Sequence, residues 1–165
     1  VSAFFFSLSG TTTLSIFCTN EAQLMALGVV RVQTEDSDKV YVSQSSLGQS
    51  VGLGLFAAQD FGKDDILCYY TGVALNGREA ADTKERAYLM RLCKGLSIDA
   101  GPCKDIAARY INDNSNKDEI NVRFKKEPNL CRASVIATRN IKKHEEIFVC
   151  YGNQYWKEFG VESLK

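Results

Sequence analysis

Four short clusters hold the side chains able to do chemistry. In the first, Val51-Gly52-Leu53-Gly54-Leu55-Phe56-Ala57, glycines flank Leu53. The backbone there can approach a ligand closely just before an apolar strand, although a tight turn feeding that strand accounts for the same residues. The second, Ile66 to Gly72, ends in Tyr69-Tyr70-Thr71-Gly72. Adjacent tyrosines on a strand face opposite sides, so one can enter the core while the other looks into a site. The third, Ala108-Arg109-Tyr110-Ile111-Asn112-Asp113-Asn114-Ser115-Asn116, runs from an apolar strand end into amides and a carboxylate, residues that also form Asx-rich turns. The fourth, Glu145 to Trp156, contains Tyr151-Gly152 and the chain's one tryptophan; by itself it reads as a core strand followed by an aromatic plug.

The elements that must position these clusters are mostly short strands. Val29 to Val32 and Val40 to Val42 flank the polar run Thr34 to Lys39 and read as a hairpin. Further strands are expected at Gly54 to Ala58, Asp65 to Thr71, Leu96 to Ala100, Arg109 to Ile111, Asn121 to Phe124, Cys131 to Ala137 and Glu146 to Cys150. One helix is expected from about Arg78 to Leu92, where Ala80, Ala81, Tyr88, Leu89 and Leu92 recur at helical spacing. The fold class is therefore mainly β with minor helices. With 165 residues, 45% of them hydrophobic, and no internal repeat or linker, one domain is expected, with residues 1–39 as a flanking element.

Composition narrows the chemistry. Twenty basic and twenty acidic residues leave no net charge, which argues against a protein that grips nucleic acid through its phosphates. A single histidine, His144, excludes imidazole pairs and a histidine-rich metal cage. The cysteines at 18, 68, 93, 103, 131 and 150 show no C-x-x-C pair, so no structural zinc site is expected. Several lie inside apolar runs and read as thiols of a reducing, intracellular compartment; a secreted disulfide framework is the minor alternative. The apolar start, with Phe4-Phe5-Phe6, is broken by serines, threonines and Gly10 well short of a membrane span, and no Lys or Arg precedes Arg31 as a signal peptide would want.

Taken in order, the clusters resemble the SET-domain family of protein lysine methyltransferases. The matching stretches are G-L-G-L-F-A from Gly52, the element from Phe61 to Tyr70-Thr71-Gly72, S-I-D-A at Ser97 to Ala100, A-R-Y-I-N at Ala108 to Asn112, and A-T-R-N-I-x-x-x-E-E-I-F-V-x-Y-G at Ala137 to Gly152. The resemblance covers residues 40–156, leaving 157–165 as a short tail with no cysteine for a post-SET zinc element. It implies a β-clip fold whose C-terminal segment forms a pseudoknot. S-adenosyl-L-methionine would bind one face and leave as S-adenosyl-L-homocysteine, and a substrate lysine would enter from the other face through a narrow channel.

The resemblance also implies roles. Tyr151 matches the catalytic tyrosine and Tyr70 the tyrosine that lines the lysine channel, with Tyr88 on the expected helix facing the site. Cofactor contacts would come from Gly52, Leu53, Gly54, Arg109, Asn112, Asp113 and Trp156. Val149 falls where many relatives carry the aromatic residue that limits how many methyl groups fit. Asp113 departs from the family's usual histidine, and the Arg-Tyr-Ile-Asn-Asp and Tyr-Gly-Asn-Gln-Tyr-Trp runs are closer to the PR-type branch. A non-catalytic interaction module of that type is the alternative function. The implied partner is a lysine-containing protein or peptide, a histone first, with no direct nucleic acid and no membrane, in the nucleus or cytoplasm. Asp113, Asp118, Glu119, Glu145 and Glu146 are candidates for an acidic rim that would favour a basic tail, or for an ordinary solvated face.

Overall fold

Val40-Tyr41-Val42-Ser43-Gln44 begins with β-branched and aromatic residues, and in the structure, a computed structural model that describes residues 38–152 and 155–156, it forms strand β1 with Val40 and Val42 buried and the residues between and after them more exposed. β1 (Val40–Gln44) pairs antiparallel with β2 (Leu53–Ala57), from Val40 opposite Ala57 to Gln44 opposite Leu53. Tyr41 stacks on Phe56 across this pair, their ring centroids 5.5 Å apart. The expected hairpin partner of β1, Val29 to Val32, lies outside the described residues.

Two three-stranded antiparallel sheets complete the frame. In one, β8 (Arg132–Ala137) lies between β3 (Ile66–Tyr70) and β7 (Val122–Glu127). In the other, β6 (Leu96–Asp99) lies between β4 (Val73–Asn76) and β5 (Leu89–Cys93). The core between the elements is built from Val42, Leu55, Leu67, Ile98, Ile111, Val135, Ile141 and Ile147, all nearly inaccessible to solvent. The mainly β architecture is as expected, and three local expectations are corrected.

The helix α1 covers Gly77–Asp82 and stops there. Asn76 caps it, accepting from the Arg78 and Glu79 amides, while the Glu79 carboxylate accepts from the Asn76 amide. Thr83 is already extended. Leu89, Met90 and Leu92 belong to β5, because Lys94-Gly95, with Gly95 at φ +82°, closes a two-residue hairpin onto β6. Short apolar runs satisfy helical and strand spacing alike, and tertiary pairing decided between them. Tyr88 thus stands in the turn before β5 and not on a helix.

Ala107–Tyr110 forms a 3-10 turn, not a strand; all four residues are buried, and the Ile111 amide donates to the Ala108 carbonyl. Small alanines let this turn pack against β3 and β2. Glu146 to Cys150 is extended but joins no sheet as a strand. Its backbone is clasped from both sides: the Ile147 amide donates to Leu55, the Val149 amide to Asn112, and the Asn121 and Val122 amides donate to Phe148. β4, which no sequence signal had marked, completes the second sheet.

Candidate active site

The buried amide of Asn121 holds the clasped segment in place. Its Oδ1 accepts from the Phe148 amide at 2.9 Å and its Nδ2 donates to the Glu146 carbonyl at 2.8 Å. Glu146 itself is buried, its carboxylate accepting from the Ser45 hydroxyl at 2.7 Å and from the Ser46 amide at 2.7 Å. Asn112 ties the same knot of groups to β2, donating from Nδ2 to the Leu53 carbonyl at 3.0 Å. These bonds fix Val149 and Tyr151, which follow on the same segment.

A cavity of about 1270 Å³ opens between the two three-stranded sheets and the 3-10 turn. Its wall brings together Gly52, Leu53, Tyr70, Tyr88, Arg109, Asn112, Asp113, Val149, Tyr151 and Trp156. Gly54 is not part of that wall; it is buried beneath, facing the Glu146 carboxylate. Gly52, at φ +87°, takes a left-handed conformation that a residue with a Cβ would resist.

The tyrosine pair divides as strand geometry requires. Tyr70 points into the cavity, its hydroxyl donating to the Tyr88 carbonyl at 2.7 Å and its ring edge-on to Phe124. Tyr69 lies on the opposite face under the Arg132 guanidinium, 3.9 Å from its ring centroid. Tyr151 donates to the Ile111 carbonyl at 2.6 Å. Burial pushes both the Tyr70 and the Tyr151 phenol well above the usual tyrosine range, so each is a neutral hydroxyl at physiological pH. With its proton committed to Ile111, the Tyr151 oxygen retains lone pairs that can accept from an amine.

Arg109 is buried, with Nε donating to the Ala100 carbonyl at 3.2 Å and its guanidinium 4.1 Å from the Tyr88 ring centroid. It therefore braces the Tyr88 wall as well as lining the cavity. Asp113 accepts from the Tyr151 amide and from the Trp156 indole. Tyr155, which sequence reasoning missed, packs against Tyr151 with centroids 4.5 Å apart and also lines the cavity. The signal available was its place in the aromatic fourth cluster. Asn121 was legible as a lone amide between Ile120 and Val122, a position that demands buried partners.

Three of the five acidic residues considered as a rim are engaged elsewhere. Glu146 is buried on Ser45 and Ser46, Glu145 pairs with Arg139, and Glu119 accepts from Asn114 and Asn116. Of the five, Asp113 alone reaches the cavity wall. Among the described residues, no group of three or more His, Cys, Asp or Glu could hold a metal ion, and no helix is long and apolar enough to cross a membrane. Nor does any disulfide join Cys93, Cys103, Cys131 or Cys150.

The family model described as SET domain matches residues 52–152. The chain belongs to the SET-domain family. Solved structures agree with this SET fold. One is a humanized mutant of the Chaetomium thermophilum Polycomb Repressive Complex 2 bound to the inhibitor GSK126, with a TM-score of 0.55 and 29% identity over 69% of this chain and 15% of that one. Another is an active polycomb repressive complex 2 in the basal state, with a TM-score of 0.55 and 29% identity over 68% of this chain and 15% of that one. A third is ctPRC2 in an autoinhibited conformation bound to S-adenosylmethionine, with a TM-score of 0.56 and 26% identity over 74% of this chain and 16% of that one. The SET domain thus spans about a sixth of the length of these relatives or less. No curated protein sequence matches the chain.

Proposed function

We propose that this SET domain is an S-adenosyl-L-methionine-dependent protein lysine N-methyltransferase. The observation that carries the reading is the tyrosine-lined cavity, in which Tyr70, Tyr88, Tyr151 and Tyr155 share one wall with Gly52-Leu53 and Asn112. At about 1270 Å³ it exceeds the roughly 300–1,000 Å³ of an ordinary single-ligand pocket, leaving room for a nucleoside cofactor together with a lysine side chain.

The residues present fit such a cofactor. Backbone groups of Gly52 and Leu53, with Arg109, Asn112 and Trp156, are the groups that would hold it, and Asp113, expected among them, would act through the Trp156 that it bonds. When bound, it supplies a methyl group activated by a sulfonium. The protein's own part is to deliver a neutral amine in a fixed direction. Entry into a wall of aromatic rings disfavours an ammonium through desolvation, so the lysine sheds its proton to solvent as it enters. Tyr151 then accepts from the amine through its hydroxyl oxygen, held by the Ile111 carbonyl, and Tyr70 confines the side chain from β3. No strong base is needed, consistent with neutral phenols and one histidine.

The substrate class is a lysine-bearing protein, with a histone the first expected by the resemblance and the nucleus the corresponding compartment. The structure with S-adenosylmethionine bound supports the cofactor. Isothermal titration of the purified chain with S-adenosyl-L-methionine, followed by labelled methyl incorporation on histones and on a whole proteome, tests the reading. The absence of both heat and label would overturn it. Peptide capture without cofactor binding would instead identify a non-catalytic interaction module.

A further inference from the structure

The Asp113 carboxylate bonds to two members of the aromatic wall, Tyr151 and Trp156. Its Oδ2 accepts from the Tyr151 amide at 2.8 Å and from the Trp156 Nε1 at 3.1 Å, while its Oδ1 accepts from the Ser115 amide at 2.8 Å. The last bond is an Asx turn, closed by Ser115 at φ +57°, and it fixes the carboxylate on its own loop. Trp156 in turn packs on Tyr151, centroids 5.8 Å apart, and stands edge-on to Tyr155 at 5.3 Å.

All three partners of Asp113 are N–H donors, and they approach both carboxylate oxygens. An ionised carboxylate is an acceptor at every lone pair. A neutral imidazole has one acceptor nitrogen, and an amide presents an NH₂ at one end that would meet a donor. We infer that Asp113 is a positioning residue: its carboxylate seats Trp156 against the cavity and sets the backbone of Tyr151, which makes the departure from the family's histidine a built contact and not a loss. The consequence for turnover rests on the methyltransferase reading; the seating of Trp156 does not.

The chain's single tryptophan makes the test direct. Acrylamide quenching of Trp156 fluorescence is measured on the full chain without cofactor, for wild type, Asp113→Ala, Asp113→Asn and Asp113→Glu, each first checked for native circular dichroism. Quenching should rise toward that of the denatured chain in Asp113→Ala, rise less in Asp113→Asn, and return part-way in Asp113→Glu, which keeps both oxygens. In turnover, misplacement of Tyr151 should lower kcat of Asp113→Asn by about ten- to hundredfold. Asp113→Asn and Trp156→Phe should also weaken S-adenosyl-L-methionine binding non-additively. A folded Asp113→Asn with wild-type quenching overturns the proposal, as does full additivity of the two variants. If the wild-type chain neither binds cofactor nor transfers methyl, the methyltransferase reading fails while quenching still decides the seating.

Discussion

A Cβ placed on Gly54 would lie 2.2 Å from Oε1 of Glu146, so the glycine in β2 and the carboxylate of the clasped C-terminal segment occupy one shared space. Gly54 is there because Glu146 must reach Ser45 and Ser46 past it. Gly54→Ala should therefore cost about 2–4 kcal/mol through overpacking and loss of charged hydrogen bonds. Urea unfolding measures it, and the penalty should shrink in a Glu146→Ala background, since the clash is then gone. Equal penalties in both backgrounds would contradict the shared-space account.

Asn121 is fully buried and bonds backbone groups on either side of Ile147. Asn121→Ala leaves the Glu146 carbonyl and the Phe148 amide short of partners, at a cost of about 2–4 kcal/mol. Hydrogen exchange should show the Phe148 amide losing protection before the amides of β8 do.

Tyr151→Phe keeps the ring and removes the hydroxyl that donates to Ile111. Under the proposed function the variant should fold and bind cofactor normally while kcat/KM falls by about a hundredfold. Unchanged turnover would remove Tyr151 from the mechanism.

Val149 is buried and lines the cavity two residues before Tyr151. Val149→Phe should fill the space beside the lysine nitrogen and shift products toward monomethyl-lysine, read by mass spectrometry of a peptide substrate. A product distribution unchanged from wild type would place the limit on other wall residues.

Alkaline pH should destabilise the fold through its buried phenols. Tyr70 and Tyr151 ionise in the unfolded chain near the ordinary value of 10.0, but burial raises both in the folded state. Above that value the unfolded chain binds fewer protons, so stability is intact below about pH 10 and falls as pH rises further. Denaturation curves from neutral to strongly alkaline pH check the sign, and Tyr70→Phe should flatten the slope.

Much of the frame was legible because strands are written in short-range pattern. β2, β3, β6, β7 and β8 arise where alternating or continuous apolar runs meet turn residues. The ordered glycine, tyrosine and asparagine clusters pointed to the family, and all but Gly54 of the predicted site residues line one cavity. The helix and the 109–111 strand were misread for one reason: a run of a few apolar residues has no period long enough to separate helix from strand.

The residue types and their order determined on their own that this chain builds a mainly β fold, and through the family resemblance they pointed to tyrosines that the fold gathers on one cavity. Only the tertiary structure decided that Ser45 would meet Glu146 across 101 residues, that Asn121 would staple the segment before Tyr151, and that Asp113 would hold Trp156. Local spacing encodes backbone preference within a turn or a strand. Hydrogen bonds between distant side chains exist only once packing has removed water and left each polar group to find a protein partner.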